Sequence, residues 1–179
     1  MTREDTVFEK LFQRAKYITF WMHKQLELVE AYSLRPIEDQ GKPYVTKGEI
    51  YYAHLGNNIG SEIDKQRPVL IFQNNDRFIR QSNLAVIIPI SSNNKVRPYR
   101  IPLRVNDIID NQGITDSSII VQQIRSISKA RLSQLKGRLT AQKLEEVSGE
   151  VQRLFYKNTP LHVEGDAQTT GNGAAKNVE

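Results

Sequence analysis

The middle of the chain consists of short apolar runs separated by polar turns, with no long helical segment between them. The runs are GEIYYAHL, RPVLIFQ, NLAVIIPIS, YRIPLRV and SSIIVQQI, and clusters such as QNNDR and SSNNK separate them. Such runs, rich in Ile, Val and Tyr, are typical of strands. Parallel sheets need crossover connections, usually helices, so the pattern predicts an antiparallel curled sheet or small barrel. A helical turn is predicted at ISKARL and a last strand at SQLKGRL.

The segment before these runs predicts one long amphipathic helix. Its apolar residues are three or four positions apart, which is the spacing of one helical face. They are Phe8, Leu11, Phe12, Ala15, Ile18, Met22, Leu26 and Val29. Pro36, Gly41 and Pro43 end the helix and give an extended linker over residues 33–46. The helix can cover an apolar surface of the barrel, extend a dimer interface, or occupy a binding groove, and the first is the default for an apolar stripe.

A second helix is predicted after the strands, with Thr140 as its N-cap. Leu144, Val147, Val151, Leu154 and Phe155 form an apolar stripe that can cover one end of the barrel. The last segment is poor in large apolar groups and is expected to be disordered. The predicted organisation is therefore a helix and linker over 1–46, a barrel domain over 47–157 and a disordered tail over 158–179.

Composition narrows the classes of function. The chain has 179 residues and no cysteine, so disulfides and thiol nucleophiles are excluded, and its three histidines do not form a zinc motif. The net charge of +5 is concentrated in residues 47–135, which carry 12 basic and 7 acidic side chains. This balance favours a polyanionic partner, although mildly basic domains without such a partner are common. No membrane-length apolar run or signal peptide is visible, so we expect a cytoplasmic protein.

Polar side chains stand where strands begin or end. The stretch GSEIDKQRP puts Ser61, Glu62 and Arg67 at the lip of a buried strand, although none of them helps it to pack. A Glu-Arg surface pair is the simple alternative. The segment GNNIGS is not a phosphate-binding loop, because neither Lys-Ser/Thr nor a helix follows it. The third run ends at Ser91 and the fifth leads into Gln123 and Arg125, so hydroxyl, amide and guanidinium groups stand at strand ends, although all three are also ordinary turn residues.

Taken together, the segments KGEIYYAHLG, IGSE, RPVLIFQNN, VIIPIS and QQIRSISKARL closely resemble the MazF/PemK family of toxin endoribonucleases, in order and in spacing. The resemblance covers residues 47–155. It implies a mainly β, SH3-like small barrel with a C-terminal helix, here with an added N-terminal amphipathic helix. It also implies a homodimer that cleaves single-stranded RNA without a metal ion or other cofactor. The partner implied by the resemblance is an acidic, partly disordered antitoxin.

The same resemblance gives roles to individual residues. It implies Arg67 and Ser91 as catalytic residues, Gly60 to Glu62 as the family's Gly-Ser-Glu loop, and Gln123 as a substrate contact. Ser91 stands where the family has threonine, Gln122 stands where it often has glutamate, and the N-terminal helix has no counterpart in the minimal fold. Cleavage needs a cation beside the phosphorus, a hydrogen-bond donor and a proton acceptor, which suit Arg67, Ser91 and Glu62. The residue types alone leave open which group moves each proton.

Other residues invite a functional interpretation. In NNDRFIRQSN, Arg77, Phe78 and Arg80 combine two cations with an aromatic ring. Proteins typically bind single-stranded RNA by such phosphate pairing and base stacking. The alternative is that Phe78 packs as a cap on the barrel. His54 lacks a histidine partner in the barrel and is expected to have a surface or packing role. Trp21 is expected to pack and not to stack on a base.

These observations predict a sequence-selective RNase toxin of the MazF/PemK type. Two rival functions are a non-enzymatic inhibitor of DNA gyrase and a binding module that has lost catalysis. The arginine and hydroxyl pair of Arg67 and Ser91 argues against the gyrase reading, whereas the serine in place of threonine leaves the second rival open.

Overall fold

The structure, a computed structural model, describes residues 3–36, 43–93 and 97–156. The predicted tail over 158–179 and part of the predicted linker lie outside these residues. Within the described ranges, no helix has the length and hydropathy needed to cross a membrane.

Within the described ranges, three helices and eight strands follow one another. They are α1 (Arg3–Ser33), β1 (Glu49–His54), β2 (Gln66–Ile71), α2 (Arg77–Gln81), β3 (Leu84–Ser91), β4 (Arg100–Leu103), β5 (Ile108–Ile109), β6 (Ser117–Ile120), β7 (Arg125–Ser128), β8 (Leu132–Leu139) and α3 (Ala141–Phe155). Short 3₁₀ turns occur at Val105–Asp107, Val121–Gln123 and Lys129–Arg131.

The strands form one antiparallel sheet in the order β4-β6-β3-β2-β1-β8-β5, and β7 pairs with β3. The long strand β3 is shared, because its first half pairs with β7 and its last two residues pair with β6. Sharing one strand between two partners bends the sheet around its interior. The curled, mainly β fold with one helix before the strands and one after them confirms the predicted fold class.

The fifth apolar run is not one strand. It leaves the sheet after Ile120, makes a 3₁₀ turn over Val121–Gln123 and returns as β7 at Arg125. The break allows the chain to move from the last residues of β3 to its first half. Gln123 therefore stands in a corner between two strands, and not at the end of a continuous strand as the sequence predicted.

Both faces of the central strands are buried, which explains why their sequences are continuously apolar. One face contributes Ile50, Leu70 and Ile88 to a core that α3 covers. The other contributes Val69, Ile71 and Ile87 to a second cluster.

Helix α3 begins as the sequence predicted. The Thr140 side chain accepts a hydrogen bond from the main-chain N–H of Lys143 at 3.3 Å. Leu144, Val147, Val151 and Leu154 pack on the core, whereas Phe155 is exposed. The predicted stripe therefore covers the barrel over most of its length.

Helix α1 does not pack on the barrel through its apolar stripe. Phe8 is 71% exposed and Leu26 is 69% exposed. The half-buried or buried side of the helix carries Arg14, Tyr17 and Trp21 instead. The default expectation for the stripe was therefore wrong, because the barrel surface that α1 meets consists of the polar loop after β1 and the Lys129–Arg131 turn, whose polar groups need partners.

Candidate active site

Arg67 and Ser91 lie at the same edge of the sheet. Strands β2 and β3 pair antiparallel, with Val69 opposite Pro89 and Leu70 opposite Ile88. Arg67, near the start of β2, and Ser91, the last residue of β3, each lie two residues beyond the Val69–Pro89 pair, and Ser91 itself pairs with Ser118 of β6. The paired strands therefore end at one edge of the sheet, and this edge carries both the guanidinium and the hydroxyl group. Both residues are half-buried.

The β1–β2 loop, residues 55–65, reaches this edge. Two main-chain hydrogen bonds of 2.8 Å close its neck, from Leu55 N to Lys65 O and from Lys65 N to Gly56 O. Ser61 and Glu62 are exposed on the loop. Near its end, the main-chain carbonyl of Asp64 accepts a hydrogen bond of 3.2 Å from Nε of Arg67. This bond occupies Nε and not the two terminal nitrogens of the guanidinium.

Gln123 joins the β1–β2 loop to the corner between β6 and β7. Its Oε1 accepts a hydrogen bond of 2.7 Å from Ile63 N, and its Nε2 donates one of 2.9 Å to Ser61 O. Both ends of the amide are thus used by the loop that carries Glu62. The sequence predicted Gln123 as a substrate contact; its contacts within the chain shape the loop.

Arg125 is a residue of the site that the sequence reasoning did not select. Its Nη2 donates a hydrogen bond of 3.0 Å to Ile63 O. Burial lowers the pKa of Arg125, the carboxylate of Glu62 raises it, and the cation of Arg131 lowers it. Glu62 therefore lies close enough to Arg125 to interact with it electrostatically, and the cation of Arg131 acts on the same group. The sequence placed the guanidinium group of Arg125 at the end of the fifth run, two residues after Gln123, but gave it no role.

The Ser91 hydroxyl is placed to donate a hydrogen bond. Its Oγ accepts a hydrogen bond of 3.3 Å from the main-chain N–H of Asn93. That bond uses a lone pair and not the hydroxyl proton. An arginine with its terminal nitrogens at one strand end and a serine hydroxyl beside it can together bind the oxygens of a phosphodiester.

The structure does not bring Arg77, Phe78 and Arg80 to this edge. They lie on α2, which connects the end of β2 to the start of β3, at the far end of the strand pair from Arg67 and Ser91. The length of β2 separates the two ends, roughly 17 Å at about 3.4 Å per residue. Phe78 is 81% exposed, so it does not cap the barrel.

A shallow cleft of about 310 Å³ lies beside α2. Its lining residues are Tyr44, Asn75, Arg77, Arg80 and Gln81. Beneath it, Lys129 is 1% exposed and its ammonium group donates to the main-chain carbonyl of Arg80 at 2.5 Å. The cleft therefore combines two exposed guanidinium groups with a buried cation that holds their helix.

The remaining candidates have packing roles. Burial lowers the pKa of the half-buried His54, and so do the cations of Lys24 and Arg131. Trp21 is 9% exposed and packs against Gly56, with the Arg131 guanidinium 5.5 Å from its ring centroid. In the described part of the chain, no group of three or more His, Asp or Glu side chains is arranged to hold a metal ion.

The fold defines a class of protein before any individual relative is considered: a small curled barrel that is covered by the helix after its last strand. Solved structures of this class resemble the chain. The MazF of Deinococcus radiodurans gives a TM-score of 0.54 at 19% identity and covers 63% of this chain and 96% of its own. An endoribonuclease from a Mycobacterial species gives 0.51 at 17% identity and covers 65% and 96%.

Sequence comparison gives the family. The family described as "PemK-like, MazF-like toxin of type II toxin-antitoxin system" matches residues 46–155. Endoribonuclease EndoA of Bacillus subtilis is 32% identical over 109 residues, which are 60% of this chain and 91% of that protein. The chain therefore belongs to the MazF/PemK family of toxins of type II toxin-antitoxin systems, and helix α1 lies outside the matched region.

Proposed function

We propose that this protein is a toxin endoribonuclease that cleaves single-stranded RNA at selected sites and leaves 2′,3′-cyclic phosphate and 5′-hydroxyl ends. Membership of the MazF/PemK family and a relative named as an endoribonuclease support the proposal. The observation that supports it most is that the paired strands β2 and β3 have the Arg67 end of one and the Ser91 end of the other at the same edge of the sheet. The β1–β2 loop brings a carboxylate, Glu62, to the same edge.

The chemistry follows from these groups. The O2′–P bond forms while the P–O5′ bond breaks, so the two RNA products together contain all atoms of the substrate. The 2′-hydroxyl proton passes to the carboxylate of Glu62, and the departing 5′-oxygen takes a proton from solvent. The terminal nitrogens of Arg67 stabilise the charge on the pentavalent phosphorus, and Ser91 donates to a non-bridging oxygen. The fixed guanidinium supplies the positive charge, so the reaction proceeds without a metal ion.

Substrate binding is assigned to both ends of the β2–β3 pair. Beside the scissile phosphate, the main chain around Ser61, held by Gln123, contacts the flanking nucleotides. At the far end, Arg77 and Arg80 pair with phosphates and Phe78 stacks on a base. The exposure of Phe78 and the cationic lining of the cleft support this assignment.

The partners follow from the family. A toxin of a type II system has a cognate antitoxin, and we propose an acidic one that neutralises the cationic site. We further propose that the protein works as a homodimer and acts in the cytoplasm, where its mRNA substrates are found.

The test is to incubate the purified full chain with a long single-stranded RNA in EDTA and to map the fragment ends. We expect discrete cuts with cyclic phosphate and 5′-hydroxyl ends. Supercoiling by DNA gyrase is measured in parallel with the same preparation. Intact RNA together with inhibited gyrase would favour the non-enzymatic toxin, and intact RNA that is bound but not cut would favour a module that has lost catalysis.

A further inference from the structure

Helix α1 lies outside the region matched by the family, yet it contacts the loop of the candidate active site. Nη1 of Arg14 donates to Oδ2 of Asp64 at 2.5 Å. Nη2 of the same guanidinium donates to the main-chain carbonyl of Asn58. One side chain of α1 thus joins two points of the β1–β2 loop that are six positions apart in the sequence.

A second pair of contacts fixes the neck of that loop. The Tyr17 hydroxyl donates a hydrogen bond of 3.3 Å to the carbonyl of Gly56. The Trp21 ring lies directly on Gly56, where an added Cβ would be 3.3 Å from Cζ2. Gly56 also has a φ of +96°, so the close approach of the ring and the turn both depend on glycine.

Asp64 connects these contacts to the chemistry. Its side chain binds Arg14 of α1, and its main-chain carbonyl accepts the hydrogen bond from Nε of Arg67. The Asp64 side chain is only 16% exposed, so solvent screens this ion pair less than a surface pair. Burial and the Asp64 carboxylate raise the pKa of Tyr17, whereas Arg14 and Arg67 lower it. The four groups therefore share one neighbourhood.

We propose that α1 is a brace for the active-site loop and that Arg14 is its positioning residue. Arg14 holds Asp64, Asp64 orients Arg67, and the same contacts restrict the loop that carries Glu62. Ordering a loop of polar residues costs conformational entropy. The contacts with α1 order the loop before RNA binds, so RNA binding does not have to offset that cost. The effect on cleavage rests on the proposed function, whereas the effect on loop order does not.

Loop order is measured first, without reference to activity. The chain contains no cysteine, so Ile59→Cys provides a unique thiol for a nitroxide label. Ile59 is 87% exposed on the loop and has no role in the proposed chemistry. In this labelled full chain, Arg14→Gln is compared with Lys10→Gln, a matched change at an exposed lysine one turn earlier on α1. We expect the spectrum to shift toward the mobile component with Arg14→Gln and to stay unchanged with Lys10→Gln.

Cleavage kinetics then test the positioning role in the unlabelled chain. We expect Arg14→Gln to lower kcat about 10- to 100-fold and to change KM much less, because a misplaced guanidinium costs transition-state stabilisation. Asp64→Asn removes the charge of the other partner of this ion pair, which lies on the loop, and should lower kcat by a similar factor. The double variant should lose no more than Arg14→Gln alone, since Arg14→Gln already removes the pair with Asp64 together with the bond to the Asn58 carbonyl. Lys10→Gln should cleave at the parent rate.

The outcomes separate the brace from its rivals. Faster cleavage by Arg14→Gln would overturn the proposal, because α1 would then restrain the site. Equal label mobility in the parent and Arg14→Gln, in protein with an unchanged Tm, would also overturn it. If the parent does not cut RNA, the label still decides whether α1 braces the loop, so the failure of the proposed function is distinguishable from the failure of the brace.

Discussion

The two ends of the β2–β3 strand pair differ in how firmly their polar side chains are held. At one end, Arg67 donates a hydrogen bond to the Asp64 carbonyl, and both the oxygen and the nitrogen of the Gln123 amide form hydrogen bonds with the β1–β2 loop. At the other end, α2 has no buried residue and projects Arg77, Phe78 and Arg80 into solvent. Catalysis requires groups fixed in advance, whereas binding a flexible single strand tolerates adaptable ones. The difference supports our proposal that the chemistry takes place at the first end and that the second end only binds RNA.

The largest effect is expected from Arg67→Ala. Removing the guanidinium removes the charge beside the phosphorus, so kcat should fall by about 10³-fold or more while KM changes little. Single-turnover cleavage measures this loss, and thermal unfolding verifies that the variant is folded. A folded Arg67→Ala protein with parental kcat would show that this end is not the catalytic one.

The next effect is expected at Ser91. Ser91→Ala removes one hydrogen-bond donor to the phosphate and should lower kcat about 100-fold. Ser91→Thr keeps the hydroxyl and restricts its rotamer, so it should cleave at least as fast as the parent. Equal rates for the alanine and threonine variants would remove Ser91 from the chemistry.

Changes at the α2 end should alter binding and not chemistry. We expect the double variant Arg77→Ala, Arg80→Ala to raise KM about tenfold at low salt and to leave kcat unchanged. Its log-log salt dependence of RNA affinity should become shallower by about 1.4, since two phosphate contacts are lost. Arg153→Ala, at an exposed arginine of α3, is the matched control. A fall in kcat equal to that of Ser91→Ala would contradict the division between the two ends.

The smallest effect is expected at Lys129, which supports α2 from below. Lys129→Met removes its hydrogen bond to the Arg80 carbonyl, so amide exchange over 77–81 should accelerate and RNA affinity should fall about twofold. Unchanged exchange over these residues would show that α2 does not depend on this cation.

Lys129 also predicts a pH dependence of stability. Burial and the nearby Arg80 cation lower the pKa of Lys129 in the folded protein. Between this lowered pKa and the usual value of about 10.4, the unfolded chain binds more protons at Lys129 than the folded chain does. The contribution of Lys129 to the free energy of unfolding therefore rises with pH across that interval. Denaturant titrations of the parent should show this rise, and the same titrations of Lys129→Met should lack it.

The sequence predicted the sheet well because strand and helix periodicity are local properties. The last strand, the helical turn at Lys129–Arg131 and the N-cap at Thr140 are all confirmed. The break after Ile120 was not predicted, because the apolar run continues through it and only the sharing of β3 requires a corner.

Parts of the site could not be predicted for a different reason. The bonds from Arg125 and Gln123 to the β1–β2 loop join residues about sixty positions apart and depend on the folded sheet. The polar turns at the two ends of β2 look alike in sequence, so the separation of Phe78 from Arg67 became visible only in three dimensions. For α1, the apolar stripe correctly predicted the helix but not the side that packs on the barrel. The contacts with the barrel are made by Tyr17 and Trp21, which lie on another side of the helix.

The central claim is that Arg67 acts on a phosphodiester attacked by its own 2′-hydroxyl. The most direct measurement uses an RNA oligonucleotide that contains one mapped cut site, and a copy with a single 2′-deoxy nucleotide at that position, both in EDTA under single-turnover conditions. We expect the parent to cut only the all-RNA strand, leaving a 2′,3′-cyclic phosphate, and Arg67→Ala to cut neither. Cleavage of the deoxy-substituted strand at the parental rate, or full activity of a folded Arg67→Ala protein, would contradict the account.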